Sequence, residues 1–576
     1  MDPDKTIFNQ NMIALTEERK QHFEDTQLKE KDLQLNLEEI EKEEKIKTNK
    51  TELQEIQLPG NGTLISDFAK NMANLLKSTN MIFYRIDSKE VVEVGKVKTK
   101  ENEKEIYLGF LPIKPNRFTT LIEQYSIPGK RNIKYSKEQK KVVKDFIPKS
   151  INPEIANTVL ASQIMQDALP KIQRIFTTPL PILYNGEITF PKKGYDERFL
   201  SWLPLDSPEI IKTNMHLEEA KQIIENIIGD FCFQTEIDKY NAIAGLLTPY
   251  LRGLFSSFNV RTPVFFYIAN RERAGKDYCA GITGILYEGH ALDEPPLSNS
   301  EKHNNNSEEL RKKILSALMS GRKRLHFANN KGYIDNASFE QITTSTKYSD
   351  RLLGKNELLI FDNEIDFSLS GNMGVGYTPD FANRCKFVRL FLDIENANER
   401  TFKNPDLHGY ILANRGLILS ALFCLVKNWN EKGRPKGKEL FASFNEWASI
   451  CGGIMETAGY QNPCKPDKDS TLISGDIETN DMKMLFEECF KKSKEQKINR
   501  EEIIELMQKE DIFSSLDLVN SHSDKIKFGN TLSKYIGRVL SDIRMILTNP
   551  GEKRGSRQLY KFTKEKFEIK TIEDFL

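Results

Sequence analysis

The sequence predicts a multidomain α/β protein, and three observations support this fold class. The chain has 576 residues, more than one hydrophobic core usually serves, so we expect about three or four domains. From about residue 260 to residue 453, strand-like runs alternate with helical runs, as a parallel sheet requires. After residue 480, amphipathic helical segments precede short strands, which predicts a separate small domain.

Composition limits the function classes. Hydrophobic residues make up 39% and charged residues 29% of the chain, which is ordinary for a globular protein. No apolar run is long enough for a membrane span, and the N-terminus lacks the order of a signal peptide, so we expect a cytoplasmic protein. The 83 Lys and Arg balance 83 Asp and Glu, which excludes a uniformly basic coat but leaves local patches open.

The cysteines indicate neither a zinc site nor a disulfide framework. All seven are scattered without a C-x-x-C spacing. We therefore expect reduced thiols that are mostly buried.

Two regions precede the predicted parallel sheet. Residues 1–58 form a charged tail without Gly or Pro between Glu17 and Gln57, which predicts a solvated helix or short coiled coil; a tail that orders only on a partner fits equally well. Residues 59–205 mix a helical pattern, Leu64 to Leu76, with strand-like runs and predict an α+β domain.

A loop that follows a buried strand, Val264 to Ile268, has the context of a phosphate-binding loop. In the usual G-x-x-x-x-G-K-S/T, backbone N–H groups hold the phosphates, the Lys reaches the β and γ phosphates, and the hydroxyl binds Mg²⁺. Gly275 and Lys276 are kept, whereas Asn270 replaces the first Gly and Asp277 the hydroxyl residue. We predict a site for ATP and Mg²⁺ formed by Asn270, Arg271, Glu272, Arg273, Ala274, Gly275, Lys276, Asp277 and Tyr278.

The acids that should follow a later strand are missing. Ala328 and Asn329 stand where a magnesium-binding Asp and its acidic neighbour are expected. Because Asp277 adds a carboxylate beside the magnesium position, we hypothesise that it holds the metal, directly or through water. Asn329 or Asn330 would orient the attacking water. The alternative is a site that binds ATP without hydrolysing it.

Three further motifs follow in order. A hairpin is expected around Gly354-Lys355-Asn356, then a strand ending in Ser370-Gly371-Asn372, then Asp380 to Arg384 before a last strand. With the phosphate loop, this order resembles the superfamily 3 and minichromosome-maintenance-like AAA+ helicases of viruses, plasmids and integrative mobile elements, over about residues 210–450. The resemblance implies an AAA+ domain at residues 206–455, with a helical lead-in at 206–260, and a collar or DNA-entry role for residues 59–205.

The resemblance also assigns roles. It makes Lys276 the phosphate-binding lysine, Asn372 the sensor of the γ-phosphate, and Arg384 an arginine finger acting in a neighbouring subunit, which implies a homohexamer. It places Lys355 on the backbone of single-stranded DNA. Alternatively, Lys355 is an exposed turn lysine, Arg351 contacts nucleotide or a neighbour, and Arg384 and Arg389 are interface salt-bridge partners.

A linker at residues 456–480 leads to a predicted winged helix at residues 481–576. Two amphipathic helices are followed by a third, Phe528 to Leu540, and by two strands around a basic turn. We predict Lys534 and Arg538 as base or groove contacts. Lys553, Arg554 and Arg557 are the expected phosphate contacts. Winged helices also serve as protein-interaction modules, which is the alternative.

The sequence therefore predicts an ATP-dependent DNA helicase or replication initiator that translocates on single-stranded DNA as a ring. Expected partners are single-stranded and duplex DNA and further copies of the chain, with a primase or polymerase as a further candidate. The alternative is a non-hydrolysing or weakly hydrolysing ATP-binding initiator or assembly factor. A primase needs a carboxylate-rich metal site and a DNA-nicking enzyme needs paired His near a Tyr, and the sequence offers neither.

Overall fold

The computed structural model describes residues 53–60, 62–98, 105–136, 141–297, 303–351, 358–373, 375–393, 402–465, 477–510, 512–513, 521–540, 543–548 and 559–564. The chain divides into two compact units. The first draws on Met1–Gly95 and Leu111–Ile172, and the second on Lys96–Phe110 and Gln173–Leu576. The protein is a mixed α/β, multidomain molecule.

The part of the chain up to Ile172 combines helices with two small sheets. Its helices are α1 (Ile65–Lys77), α2 (Pro115–Tyr125), α3 (Pro153–Ala161) and α4 (Gln163–Ala168). The strands are β1 (Glu55–Gln57), β2 (Ile82–Arg85), β3 (Glu90–Lys98), β4 (Glu105–Pro112), β5 (Ile127–Ser136), β6 (Lys141–Pro148) and β7 (Lys171–Ile172), in the orders β4-β3-β2-β7 and β1-β5-β6. Helix α1 buries Phe68, Met72 and Leu76 at helical spacing, which explains why this segment is helical.

The second unit begins with short strands and is built around a parallel sheet. The short strands are β8 (Arg174–Ile175), β9 (Ile182–Tyr184), β10 (Glu187–Thr189), β11 (Gly194–Asp196) and β12 (Ser201–Leu203). The central sheet contains β13 (Val264–Ala269), β14 (Asp293–Glu294), β15 (Arg324–Asn330), β19 (Asp366–Asn372) and β21 (Cys385–Leu390). All neighbouring pairs in it are parallel, and the order is β14-β15-β19-β13-β21.

Further strands and helices surround this sheet. The strands are β16 (Tyr333–Ile334), β17 (Lys347–Arg351), β18 (Leu358–Asp362) and β20 (Gly376–Tyr377). The helices are α5 (Leu217–Ile228), α6 (Glu236–Leu247), α7 (Lys276–Glu288), α8 (His303–Ser320), α9 (Ala337–Thr344), α10 (Pro379–Ala382), α11 (Leu407–Ala413), α12 (Arg415–Glu431) and α13 (Asn445–Thr457). The antiparallel pair β17 and β18 confirms the predicted hairpin, whose tip with Lys355 lies outside the described residues.

Helices cover both faces of the central sheet. Along β13, Phe265, Tyr267 and Ala269 pack into a core shared with α5, α6, α7 and α12. Val264, Phe266 and Ile268 face the opposite way, into a core shared with α8 and α9. A strand buried on both faces reads as one continuous apolar run, which is why its position is visible in the sequence.

The C-terminal part has its own hydrophobic core. It contains α14 (Ile477–Ser493), β22 (Ile498–Asn499), α15 (Arg500–Lys509), α16 (His522–Lys534), β23 (Val539–Leu540), β24 (Ile543–Leu547) and β25 (Leu559–Lys564). The strands pair antiparallel in the order β22-β25-β24-β23. The prediction that the third helix reaches Leu540 was wrong. Gly537 takes a left-handed φ of 82° after the helix ends, and Val539 and Leu540 form a strand.

All seven cysteines are free thiols, and all except the half-buried Cys232 are buried, as expected. Among the described residues, no single helix has both the length and the hydropathy to cross a membrane. Helices α11 and α12 reach that hydropathy only when taken together, and they meet at a bend of 78°.

Candidate functional site

The loop between β13 and α7 ends in a backbone conformation that favours glycine. Gly275, the residue before α7, has a φ of 95°, in the left-handed region that L residues rarely adopt. No side chain caps the N-terminus of α7, so its first N–H groups are left for another acceptor. A helix start of this kind, together with the helix dipole, favours an anion.

The carboxyl ends of the neighbouring strands lie beside this loop. Asn372 at the end of β19 is the register partner of Ala269, the last residue of β13. Asn330 at the end of β15 pairs in register with Gly371. The fold therefore brings the predicted loop, the predicted sensor and the predicted water-orienting asparagines to one edge of the sheet.

Asp277 is held as an anion at the start of α7. One carboxylate oxygen accepts a hydrogen bond from Ser370 Oγ at 2.5 Å, and the other lies 2.9 Å from Lys276 Nζ. Burial raises the pKa of Asp277, but the hydrogen bonds from Ser370 and Lys276 outweigh it, and the pKa falls below its ordinary value. Asp277 is thus ionised at neutral pH, with Lys276 as its counter-ion.

Two polar residues near Asp277, His326 and Asp293, were not predicted from the sequence. His326 on β15 is buried; its Nδ1 lies 2.8 Å from Ser368 Oγ, and its Nε2 has no hydrogen-bond partner within the described part of the chain. Burial, and then the charge of Arg324, lowers the pKa of His326 to about 3, so the ring is neutral. The signal was available, because the polar residues Asp366, Ser368, Ser370 and Asn372 alternate along one face of β19.

Asp293 is a second carboxylate, and its charge interacts with that of Asp277. It lies on β14 as the register partner of His326, on the same side of the sheet. Burial chiefly raises its pKa; the charge of Arg324 opposes this, and the charges of Asp277 and Glu294 add to it. In the described ranges, no three His, Cys, Asp or Glu side chains cluster closely enough to hold a metal ion by themselves.

Asn270, which replaces the first glycine of the usual loop, ties the loop to β21. Its Oδ1 accepts from the Leu392 N–H at 2.9 Å, and its Nδ2 donates to the Leu392 carbonyl at 3.1 Å. The amide is therefore a structural clamp, and the Asn270 backbone N–H is also engaged, since it donates to the Leu390 carbonyl at 3.1 Å. Ala274 is buried, whereas Arg271, Glu272 and Arg273 are exposed.

Tyr278 lies in the first turn of α7 and is partly exposed. Its ring stacks on that of His408, with centroids 3.7 Å apart and planes inclined by 10°. The Tyr278 hydroxyl accepts from the His408 N–H at 3.2 Å, and His408 Nε2 lies 3.0 Å from the Tyr278 carbonyl oxygen. This pair joins α11 to the helix of the phosphate loop.

The three asparagines at the strand ends differ in what their side chains can do. Asn330 is fully engaged: its Oδ1 accepts from Leu297 N–H, and its Nδ2 donates to the carbonyls of Phe327 and Ser370. Asn329 is exposed, with a φ of 55°. Asn372 keeps a buried Oδ1 that lacks a hydrogen-bond partner among the described atoms. Buried polar atoms are nearly always paired, so Asn372 fits a ligand or water beside it.

Arg384 lies near the amino ends of the central strands, opposite the phosphate loop. Its carbonyl accepts from Val264 N–H at the start of β13, and its guanidinium lies 2.7 Å from Asp380 and 3.8 Å from Glu340. Val264 is separated from Ala269 by roughly 17 Å, at about 3.3 Å per strand residue. Arg384 therefore cannot reach the phosphate loop of its own chain. Arg389 is buried in an ion pair with Asp238 at 3.4 Å.

Most predicted DNA contacts cannot be placed. Lys355, Lys553, Arg554 and Arg557 lie outside the described residues. Lys534 is the last residue of α16, and its side chain is not described. Arg538, expected on the third helix, instead lies exposed in the turn after it, with its guanidinium 5.1 Å from the Tyr535 ring centroid.

Comparison with known proteins adds little. No protein-family model matches the chain, and no curated protein matches it. Among solved structures, one of the apo C-terminal region of NrS-1 covers 79% of this chain and all of its own, at 12% identity and a TM-score of 0.33. A second structure of that region, described as residues 305–718, gives 11% identity and a TM-score of 0.32 over the same shares. These scores are too low to carry an argument about function.

Proposed function

We propose that this protein is an ATP-dependent DNA helicase or replication initiator that acts as a homohexameric ring on single-stranded DNA. One observation carries the proposal: Lys276 and Asp277 lie at an uncapped helix N-terminus, and Asn372 lies on the adjoining strand with an unpaired amide oxygen. A cation, an anion and a neutral polar group around one helix start suit a phosphate chain with its metal ion.

The residues present fit ATP with Mg²⁺. The first turn of α7 and the Lys276 ammonium supply positive charge for the phosphates, and ionised Asp277 supplies an oxygen ligand. Mg²⁺ in proteins keeps several waters and takes one or two carboxylates plus phosphate oxygens, so a three-ligand cage is not required. When bound, Mg²⁺ would neutralise charge on the transferred phosphate.

Each polar side chain at the site would then have a separate role. Lys276 would exchange Asp277 for the phosphates, which leaves the carboxylate to the metal. Asn372 would accept a hydrogen bond from the attacking water through its unpaired Oδ1. Because the amide of Asn330 is already engaged, the exposed Asn329 is the better candidate to orient water. Arg384 would enter the site of the next subunit.

We assign residues 206–455 to the AAA+ class and residues 481–576 to the winged-helix class. In favour of the first, the loop strand β13 has the sensor strand β19 as its direct neighbour, and a parallel sheet lies between two helical layers. In favour of the second, three helices, with the short strand β22 after the first of them, pack with an antiparallel sheet. The longest strands of this sheet, β24 and β25, flank the basic segment 549–558. A wing at that position would contact the DNA backbone.

A second function has its own support. Strand β15 ends in Ala328, Asn329 and Asn330, without an acidic residue. The Asn330 side chain is already engaged, because it donates to the Ser370 carbonyl. The site could therefore bind ATP and hydrolyse it weakly or not at all, so that nucleotide binding drives assembly on DNA. In this case ATP would tighten DNA binding without being consumed.

ATP hydrolysis by the full chain separates the two functions. We expect phosphate release that needs Mg²⁺ and rises with single-stranded DNA, and we expect Lys276→Ala to abolish it. Lys331→Ala, an exposed lysine beyond β15, serves as the matched control. Nucleotide binding without turnover, at any DNA concentration, would favour the assembly factor and refute the helicase.

A further inference from the structure

The outward face of α16 is uncharged at its centre and flanked by lysine. Phe528, Leu532 and Tyr535 are buried in the C-terminal core. At about 100° per residue, Asn530 points in the direction opposite to them. The exposed residues on this outward side are Ser523, Ile526, Lys527, Asn530 and Ser533, with Ile526 51% exposed. This face therefore presents one aliphatic side chain and the carboxamide of Asn530 to solvent.

Positive charge is concentrated in this part of the chain. Residues 521–564 contain ten Lys and Arg against three Asp and Glu, a net charge of +7. Residues 477–520 contain seven Lys and Arg against eleven Asp and Glu, a net charge of −4. The helix and the strands after it therefore suit a polyanion, and duplex DNA is the polyanion whose major groove admits an α-helix.

We propose that α16 reads A·T base pairs in the major groove, with Asn530 on adenine and Ile526 against the methyl group of thymine. The carboxamide of Asn can bond adenine N6 and N7 together, and an aliphatic side chain packs on the thymine methyl. Guanine is usually read by Arg or Lys. Among the side chains described on this helix, the basic Lys527 lies at the flank, 3.6 Å from Asp524.

The inference rests on duplex binding by the C-terminal part, as proposed above, and is independent of ATP hydrolysis. It also moves the predicted base contact. Arg538 lies exposed in the turn beyond α16, whereas Asn530 lies at the centre of the exposed helix face. Base reading in this account needs no charged side chain, and the lysines supply general affinity.

The test uses the full chain without ATP. Duplexes of about 20 base pairs are selected from a randomised library near physiological salt, and affinities are measured by fluorescence anisotropy. We expect enriched sequences that share A·T pairs. Asn530→Ala should weaken binding to the selected duplex by roughly 10- to 100-fold and leave a scrambled duplex unchanged. Asn157→Ala, an exposed helical asparagine in the first unit, is the control.

Modified bases test each contact separately. Replacing adenine by 7-deazaadenine removes the N7 acceptor, so it should weaken the native chain and leave Asn530→Ala unaffected. Uracil in place of thymine removes the methyl group and should weaken the native chain but not Ile526→Ser, which lacks the apolar contact.

The possible failures are distinguishable. Binding without any enriched sequence, or enrichment of G·C pairs to which Asn530→Ala is indifferent, overturns the inference and leaves the DNA-binding function standing. Absence of duplex binding even at low salt removes the proposed DNA role of the C-terminal part, and the inference with it.

Discussion

Arg384 should complete the nucleotide site of a neighbouring subunit, so two inactive variants should restore each other. The variants are Lys276→Ala, which loses the phosphate-binding lysine, and Arg384→Ala, which loses the finger. Arg384 lies beside Val264, roughly 17 Å along β13 from the phosphate loop, and an extended arginine spans less than half of that distance. Within one chain, therefore, the two residues cannot meet.

The expected magnitudes follow from this geometry. Loss of a trans-acting arginine costs roughly 10³-fold or more in turnover, so each variant alone should be nearly inactive. In a ring mixed at equal amounts, about half of the loops retain lysine and about half of their neighbours retain arginine. About a quarter of the sites then hold both groups, and the mixture should recover about a quarter of native turnover.

The assay is steady-state phosphate release after the two variants exchange subunits. Arg261→Ala, at the same sheet edge and half-buried, is the control and should keep native turnover. The reasoning is refuted by a mixture no more active than its components when labelled subunits demonstrably exchange. Near-native activity of Arg384→Ala alone would refute it equally.

Three further results are expected. Asp277→Ala should lower Mg²⁺-dependent hydrolysis by roughly 100-fold, whereas Asp335→Ala, an exposed carboxylate outside the loop, should not. Unimpaired hydrolysis by the first variant would end the metal assignment. Gly275→Ala should lower the free energy of unfolding by about 1–2 kcal/mol in denaturant titrations. Gly275→Asn should lower it by less, because Asn tolerates a left-handed φ. Equal stability of both variants and the native chain would contradict the idea that this position is strained. The pKa of His326 is about 3 in the folded protein, against about 6.5 in the unfolded chain. Above pH 6.5 the residue therefore leaves the free energy of unfolding unchanged. As the pH falls from 6.5 towards 3, the free energy of unfolding should drop by roughly 1 kcal/mol per pH unit. His326→Gln should therefore flatten the fall of Tm with pH over that window and the exposed His216→Gln should not; parallel curves for all three proteins would argue against a buried neutral ring.

Local signals made the loop predictable. The sequence predicts a strand from Val264 to Ile268, and the observed strand extends it by one residue, to Ala269. The run is apolar because both faces are buried, and the Gly275-Lys276 pair marks the helix start. Such features depend on neighbouring residues, so a sequence pattern captures them.

Contacts between distant residues were not predictable. Ser370 bonds Asp277 across 93 positions, and Asn270 clamps Leu392 across 122 positions. Only the order of strands in the sheet brings these residues together, and no local pattern encodes that order. The end of α16 differs, because Gly537 was a visible stop signal that the apolar spacing of Val539 and Leu540 outweighed.

Strand separation on forked DNA tests the central claim most directly. The full chain is given a labelled fork with ATP and Mg²⁺, and release of one strand is followed over time. The account predicts ATP-dependent release by the native chain and none by Lys276→Ala, although both bind the fork. A native chain that binds the fork and hydrolyses ATP but never separates the strands would contradict the helicase assignment.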